Sequence, residues 1–472
     1  MEQYLQDAMA WARQEFGGAQ LGDKRRTQRL VKVAAQLADD PNGVLHARIP
    51  GYAELIAAYR LMDSEGVTFE TVTAPHHQRV RAICLEPGSY LMIEDTTTLD
   101  FTSREQTRGL GRIGNDEGRG LYLHSTLACR ICSWQRDGTP VLGMVGMLEQ
   151  RLWARTRPTE GRIGKRLVSK GVRLGREREW QRWAQAFTQA GPLPEGVNWT
   201  FMGDREADIY EAVERASKTR GQWLIRACQD RALEETEQSL FEAVAAGKAL
   251  GTGAVPVRAR PGQAARVAQV ELRATRVLLR APWRPDKRLA PLATNVVEVR
   301  EVGAAQKVEP LHWVLLTSWP VSNREQIWRV GRSYACRPLI EEYHRALKSG
   351  GTNVERSQMK TAQRLGPLVG VLSLAAVRLL RLRTGAKLTP HAPLPPDELG
   401  PEALSLLERA HGKPAKGWTY LSIILAIATL GGFLGRKGDG LPGWGMVWRG
   451  WHKLMIMVEA ARLLGLPPVR GP

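Results

Sequence analysis

Two apolar runs in this chain lead straight into an aspartate: Tyr90-Leu91-Met92-Ile93-Glu94-Asp95 and Trp199-Thr200-Phe201-Met202-Gly203-Asp204. Short apolar runs bounded by polar residues read as buried strands. An ionised carboxylate held against such a strand is costly unless it is paired or binds a metal. One such acid is commonly a turn cap or an ion-pair partner, whereas two in a single sheet favour a cation site. The second run is followed by helix-forming residues over Ile209–Lys218 and by a further strand, Gln222–Arg226. That strand–helix–strand alternation specifies an α/β core. Leu121–Trp134, Val141–Met147 and Trp313–Thr317 add strands, and alternating Val-, Thr- and Arg-rich runs mark a β-rich insertion at about 235–310.

The flanks are helical. Leu30, Val33, Ala34 and Leu37 recur at helical spacing, with Asp23 placed to cap the helix that carries them. Arg25, Arg26, Arg29 and Lys32 crowd its first turns, where the helix dipole is already positive and an anion is favoured. Either a solvated charged face or a phosphate contact accounts for them. Lys and Arg number 67 against 48 Asp and Glu, a formal charge of +19 that calls for an anionic partner, nucleic acid first. Eight basic side chains at 162–182 fit the same reading. A membrane partner fits less well, because no charge-free apolar stretch reaches about 18 residues. The start of the chain lacks the basic and apolar segments of a secretory signal. Cys129 and Cys132 have paired spacing, but on a strand that spacing sends the thiols to opposite faces, against metal or redox chemistry there. A cytoplasmic, nucleoid-associated protein is expected. A long helical region at about 324–383 breaks near Ser349-Gly350-Gly351. The Pro-rich stretch 389–396 reads as a linker, and a second helical domain follows it to about 465.

A phosphodiester site with two metals needs a third carboxylate. The expected helix from Tyr334 to Lys348 supplies it: at 100° per residue, Tyr334, Arg337, Glu341 and Lys348 fall within roughly 60° of one another. Glu342 points elsewhere, and His344 lies on neither catalytic face, which places it at the surface or near DNA rather than as a base. A salt-bridged surface helix shows the same pattern. Pro338 removes one backbone bond and biases Arg337 away from helical geometry, which is tolerated if the helix effectively starts there.

The Tyr-Arg-Glu-Lys spacing, with two, three and six residues between its members, resembles the signature of DDE transposases of the insertion sequence 4 family. EDTTTL around Asp95 and GDREADIY around Asp204 resemble that family's first two catalytic segments. WARQEFGGAQLGDKRRTQRLVKVAAQLA, AAYRLM, PLHWVLLTSWPV, VRLLRLR and LGGFLGRKGDGLPGWGMVWRGW extend the likeness along nearly the whole chain. The resemblance implies a ribonuclease H-like core at 71–385 containing the β-rich insertion. A helical domain at 1–70 would bind transposon ends, and a helical domain at 386–472 would dimerise. It further implies that Asp95, Asp204 and Glu341 hold two Mg²⁺ ions, with Mn²⁺ able to substitute. Tyr334, Arg337, Lys348 and Arg226 would grip DNA phosphates, and Arg25, Arg26, Arg29 and Arg60 would contact the transposon end. Trp313 reads as a core residue on its strand pattern alone. The resemblance instead implies an indole stacked on a flipped base during a hairpin step, worth about 1–3 kcal/mol.

Three functions are compatible with this pattern. The first is a cut-and-paste transposase, acting as a homodimer on paired ends and on target DNA. The second is a catalytically silent DNA-binding regulator of transposition with the same fold. The third is a metal-dependent nuclease without strand transfer. The intact acids favour an enzyme, and the end-reading block at the N-terminus favours a transposase.

Overall fold

Strand β1 (Gly88–Asp100) is the strand about which the sheet is organised. It pairs antiparallel with β3 (Gly118–Trp134) on one side and parallel with β5 (Val197–Gly203) on the other. Next to β5 runs β6 (Gln222–Arg226), also parallel, and then β10 (His312–Thr317), antiparallel. This is the α/β arrangement expected of a ribonuclease H-like core. The antiparallel strands β9 (Leu292–Glu301), β8 (Arg266–Leu279) and β7 (Thr252–Val257) continue the same sheet outward. β2 (Gly111–Ile113) and β4 (Pro140–Trp153) both pair with β3, giving ten strands in all among the described residues. The computed structural model describes residues 5–39, 45–49, 51–114, 117–155, 191–218, 221–234, 236–258, 263–285, 287–306, 308–395 and 398–465. The basic segment expected at 162–182 lies outside them.

Strand periodicity sorts the core into two layers. Leu91 and Ile93 of β1, Met202 of β5, Leu224 of β6 and Leu315 of β10 enter one buried cluster. Their neighbours Tyr90, Met92, Trp199, Phe201, Trp223, Ile225, Val314 and Leu316 enter the other. The first cluster is covered by α8 (Leu339–Arg345) and α9 (Ala362–Leu388), the second by α5 (Tyr210–Ser217) and α6 (Leu240–Ala245). Asp95, Arg226 and Trp313 continue the alternation of Ile93, Leu224 and Leu315, so all three face the α8 side. Asp204 follows Met202 in the same sense, one residue past its strand.

The N-terminal helices α1 (Leu5–Phe16), α2 (Lys24–Asp39) and α3 (Tyr52–Asp63) and the C-terminal helices α10 (Pro401–His411), α11 (Tyr420–Leu430) and α12 (Trp444–Leu463) share one core with α9. Helix α9 is long and apolar enough to cross a membrane by composition, yet 89% of its apolar window is buried in this protein. The guanidinium of Arg378 on α9 lies 5.8 Å from the ring centre of Trp11 and 5.6 Å from that of Trp451, linking the two ends of the chain. The Pro-rich stretch is less free than a linker: the Leu394 N–H donates to the Trp418 carbonyl at 2.9 Å, and Pro393 bridges Thr419. Cys129 is buried and Cys132 exposed, as opposite faces of β3 require.

Helix α4 (Phe69–Cys84) fastens α1 to the sheet through a buried polar triad. Glu15 lies 2.6 Å from His76 Nδ1 and 2.7 Å from Arg79, while His76 Nε2 accepts the Met147 N–H at 3.0 Å. That pattern specifies a neutral imidazole with its proton on Nδ1. Gly146, at φ 152°, makes the approach possible, because a Cβ there would fall 2.7 Å from Val80 and 3.0 Å from the His76 ring. Burial works to raise the Glu15 pKa, but His76 and Arg79 outweigh it and hold it at about 2. A carboxylate lowered in this way gives stability that is present above its unfolded pKa near 4.5 and lost as pH falls toward 2. His76 acts in the same direction, since burial lowers its pKa and protonation on unfolding adds to acid loss. Glu15→Gln should therefore cost about 3 kcal/mol at neutral pH and flatten the fall in stability below about pH 5, measured by urea unfolding of the full chain across pH.

Candidate active site

Asp95 sits in the middle of β1 opposite Ser125 of β3, its carboxylate accepting the Thr96 N–H at 3.0 Å. Asp204 caps the single helical turn Arg205–Ala207 that follows β5, accepting the Glu206 N–H at 2.8 Å. The parallel pairing of β1 and β5 brings both acids to the same end of the sheet. Glu341 comes from the first turn of α8, which packs over that end through Leu339, Ile340 and Tyr343. Exposure rises from 14% for Asp95 to 28% for Asp204 and 49% for Glu341, so the cluster is rooted in the sheet and open on the helix side.

The expected single helix from Tyr334 to Lys348 is instead two helices. α7 (Arg324–Tyr334) ends at Tyr334, the turn 335–338 follows, and α8 starts after Pro338, whose φ of −63° suits a helix start. Arg337 lies in that turn with 8% of its surface exposed. Its Nη2 is 3.0 Å from Asp95 Oδ1 and 3.1 Å from Asp204 Oδ2, and its Nη1 pairs with Glu341. One guanidinium thus touches an oxygen of every acid. Burial acts to lower the Arg337 pKa, but the three carboxylates raise it overall. The Asp95 pKa rises as well: burial raises it to about 7 against the pull of Arg337, with Asp204 and Glu341 adding to the rise.

The donor set suits a hard divalent cation. It consists only of carboxylate oxygens, and three acids against one guanidinium leave it short of positive charge. As the side chains stand, no three His, Cys, Asp or Glu groups among the described residues are grouped closely enough to hold a metal. They are spread around Arg337, which occupies the place between them.

Other residues of the signature segment depart from the sequence reading. His344, expected at the surface or near DNA, is buried with Nδ1 3.6 Å from Asp95 Oδ2. Burial, with Arg337 and Lys348, lowers its pKa to about 3. Lys348 is not in line with Glu341: the helix loosens into a π-turn at Ala346–Gly350, and Lys348 pairs with Glu355 at 3.3 Å. Tyr334 is buried, its ring edge-on to Trp313 at 5.1 Å between centres. Burial raises its pKa, and the charges of Arg337, Arg226, Asp204 and Glu341 all act on it. Trp313 is half-buried and lines a cleft of about 210 Å³ together with Arg205, Arg226, Arg266 and His312. The Arg226 guanidinium donates to the His312 carbonyl at 2.8 Å within that cleft. Tyr334, lying between Trp313 and the acids, makes the cleft and the carboxylate cluster neighbours.

Two supports of α8 were not visible in the sequence. Gln150 of β4 donates to Tyr343 at 2.8 Å and to Ser125 at 3.0 Å, and accepts from Ser373 of α9, a buried network beneath the helix. On its far side Glu342, 9% exposed at the side chain, faces three cations: Arg258 at 2.6 Å, Lys387 at 3.5 Å and Arg383 at 3.7 Å. Arg383 also stacks on Trp444 at 4.6 Å. Glu342 therefore ties α8 to the β7–β8 connection, to α9 and to the start of α12. Its partners are scattered along the chain and carry no local signal.

At the N-terminus, Asp23 caps α2 by accepting the Arg25 N–H at 2.8 Å. Arg26 is committed to the carbonyls of Leu21 and Glu65 at 3.1 and 3.0 Å, and Arg29 pairs with Glu54. Arg25 and Arg60 are exposed on this surface, Arg25 resting 3.3 Å from Asp23. None of these four approaches the carboxylate cluster by any described contact.

Comparison with known proteins gives two matches. Residues 8–67 match the transposase DNA-binding family model, and residues 371–465 match the Tn5 transposase dimerisation domain. The two matches flank the sheet, with α9 running from its packing against β4 and α8 into the second.

Removing Glu342 would leave its cations without their shared partner. Glu342→Ala should destabilise the protein by about 2–3 kcal/mol, discounted for the partial exposure of Arg258 and Lys387, with the change read from the urea midpoint.

Proposed function

We propose, from the premise that this chain is a Tn5-like transposase, that it cuts DNA at transposon ends and joins those ends to target DNA, with Asp95, Asp204 and Glu341 as its catalytic acids. The observation that carries the reading is the convergence of these acids, from β1, the end of β5 and α8, on one guanidinium. Asp95, Asp204 and Glu341 would hold two Mg²⁺ ions, with Mn²⁺ able to substitute. When bound, such ions activate the attacking oxygen of water or a 3′-hydroxyl and neutralise the leaving oxygen.

The chain's own residues set up the geometry. The rigid β1–β5 pair fixes two acids, and the Gln150 and Glu342 anchors fix the helix bearing the third. Arg337, in contact with all three acids, and Lys348, in the π-turn after α8, suit non-bridging phosphate oxygens, the guanidinium by two parallel N–H donors. Arg226 adds a third such cation in the neighbouring cleft. There Trp313 offers an indole on which an unstacked base rests, at about 1–3 kcal/mol per base, supporting a hairpin intermediate. Tyr334 backs that indole and holds its orientation, which gives it a positioning role in place of phosphate contact. The helical domain matched at 8–67 binds DNA, and Arg25 and Arg60 are exposed cations on it for a transposon end. The domain matched at 371–465 joins two copies across a pair of ends.

A supercoiled plasmid carrying the DNA that flanks this gene on both sides, where short inverted repeats are expected, provides the test, with Mg²⁺ supplied. Asp204→Ala should lower cleavage by at least about a thousandfold while retaining end binding in a gel shift. Residual Mg²⁺-dependent cutting by that variant at near the parent rate would overturn the assignment, and cutting without joining by the parent would make the protein a nuclease.

A further inference from the structure

The acids already have a counter-ion, and it is a side chain. Arg337 places one Nη 3.0 Å from Asp95 and 3.1 Å from Asp204 and the other against Glu341, while its Nε has no hydrogen-bond partner. A divalent ion bridging these acids would need the same oxygens and the space the guanidinium fills. Two cations about 4 Å apart repel by about 4 kcal/mol per pair of unit charges at an effective dielectric of 20, so both cannot sit there without loss. The guanidinium also has the means to leave. Arg337 reaches the acids from the turn 335–338 by its long side chain, so its withdrawal needs rotation about side-chain bonds and no change in α7 or α8. A buried arginine withdrawn from its carboxylates needs another anion, and a DNA backbone phosphate seated over the acids supplies one.

We propose that Arg337 is an exchangeable counter-ion of the acidic cluster: it occupies the place of the metal in the free protein and passes to a DNA phosphate when metal loads. Metal and DNA then reinforce each other's binding, because each removes the guanidinium's competition with the other, and the coupling is reciprocal. The free protein is thereby kept from loading metal, and from cutting, before DNA is seated. This rests on the reading of Asp95, Asp204 and Glu341 as metal-holding residues.

The test is a titration of the full-length protein with Mn²⁺ alone, following free Mn²⁺ by electron paramagnetic resonance. It compares the parent with Arg337→Ala and with Arg337→Gln, the second a closer fit in shape should the first fail to fold. Without DNA, the variants should bind Mn²⁺ at least about tenfold more tightly than the parent. A generic DNA duplex should tighten Mn²⁺ binding by the parent and change it little in the variants. Equal Mn²⁺ affinity in parent and variants would overturn the exchange and leave the metal reading standing. Failure of parent and folded variants alike to bind Mn²⁺ would overturn the metal reading itself, and the exchange with it.

Discussion

The parallel pairing of β1 with β5 is the constraint from which the site follows. It carries Asp95 and Asp204 to the same end of one sheet and, through the strand alternation, to the same face. Two carboxylates so close repel, and burial raises the cost, as the upward shift of Asp95 records. Covering the face with α8 adds to that cost, and the fold offsets it by inserting Arg337 between the acids. The helix brings a third acid and the turn before it brings the cation, so one short segment both completes the negative cluster and compensates it.

Around this point the molecule is heavily braced. Gln150, Tyr343 and Ser373 join β4, α8 and α9 beneath the acids, and Glu342 draws Arg258, Arg383 and Lys387 together behind them. Glu15, His76 and Arg79 hold the N-terminal helices to the sheet, and Arg378 stands between Trp11 and Trp451. The segments matched as DNA-binding and as dimerisation domains are thus in contact with the same helix, α9, that packs behind the acids. A change at either end of the chain has a short physical path to α8.

Much of this was legible in the sequence. The apolar runs before Asp95 and Asp204 are strong strand signals, and their alternation already assigns faces. The spacing of Arg337 and Glu341 held across the helix break because a guanidinium four residues away reaches its acid even from a turn. Lys348 did not hold, because extrapolating 100° per residue fails once the helix loosens at Ala346–Gly350. The burial of Tyr334 against Trp313 was not legible, because nothing in its own segment announces the indole. Glu342 and Gln150 were unreadable for a different reason: their partners lie up to hundreds of residues away, and only the folded chain brings them together. His344 stands three residues after Glu341, about 60° away around a helix, so it turns to the same acids from α8.

The shared acidic site is tested most directly by crystals of the full-length protein with DNA and Mn²⁺, using the anomalous scattering of manganese to locate the ion. Density bonded to oxygen atoms of Asp95, Asp204 and Glu341 together, with Arg337 turned toward a phosphate, is the predicted result. Manganese bound elsewhere, or Glu341 turned away from the two aspartates, would contradict it.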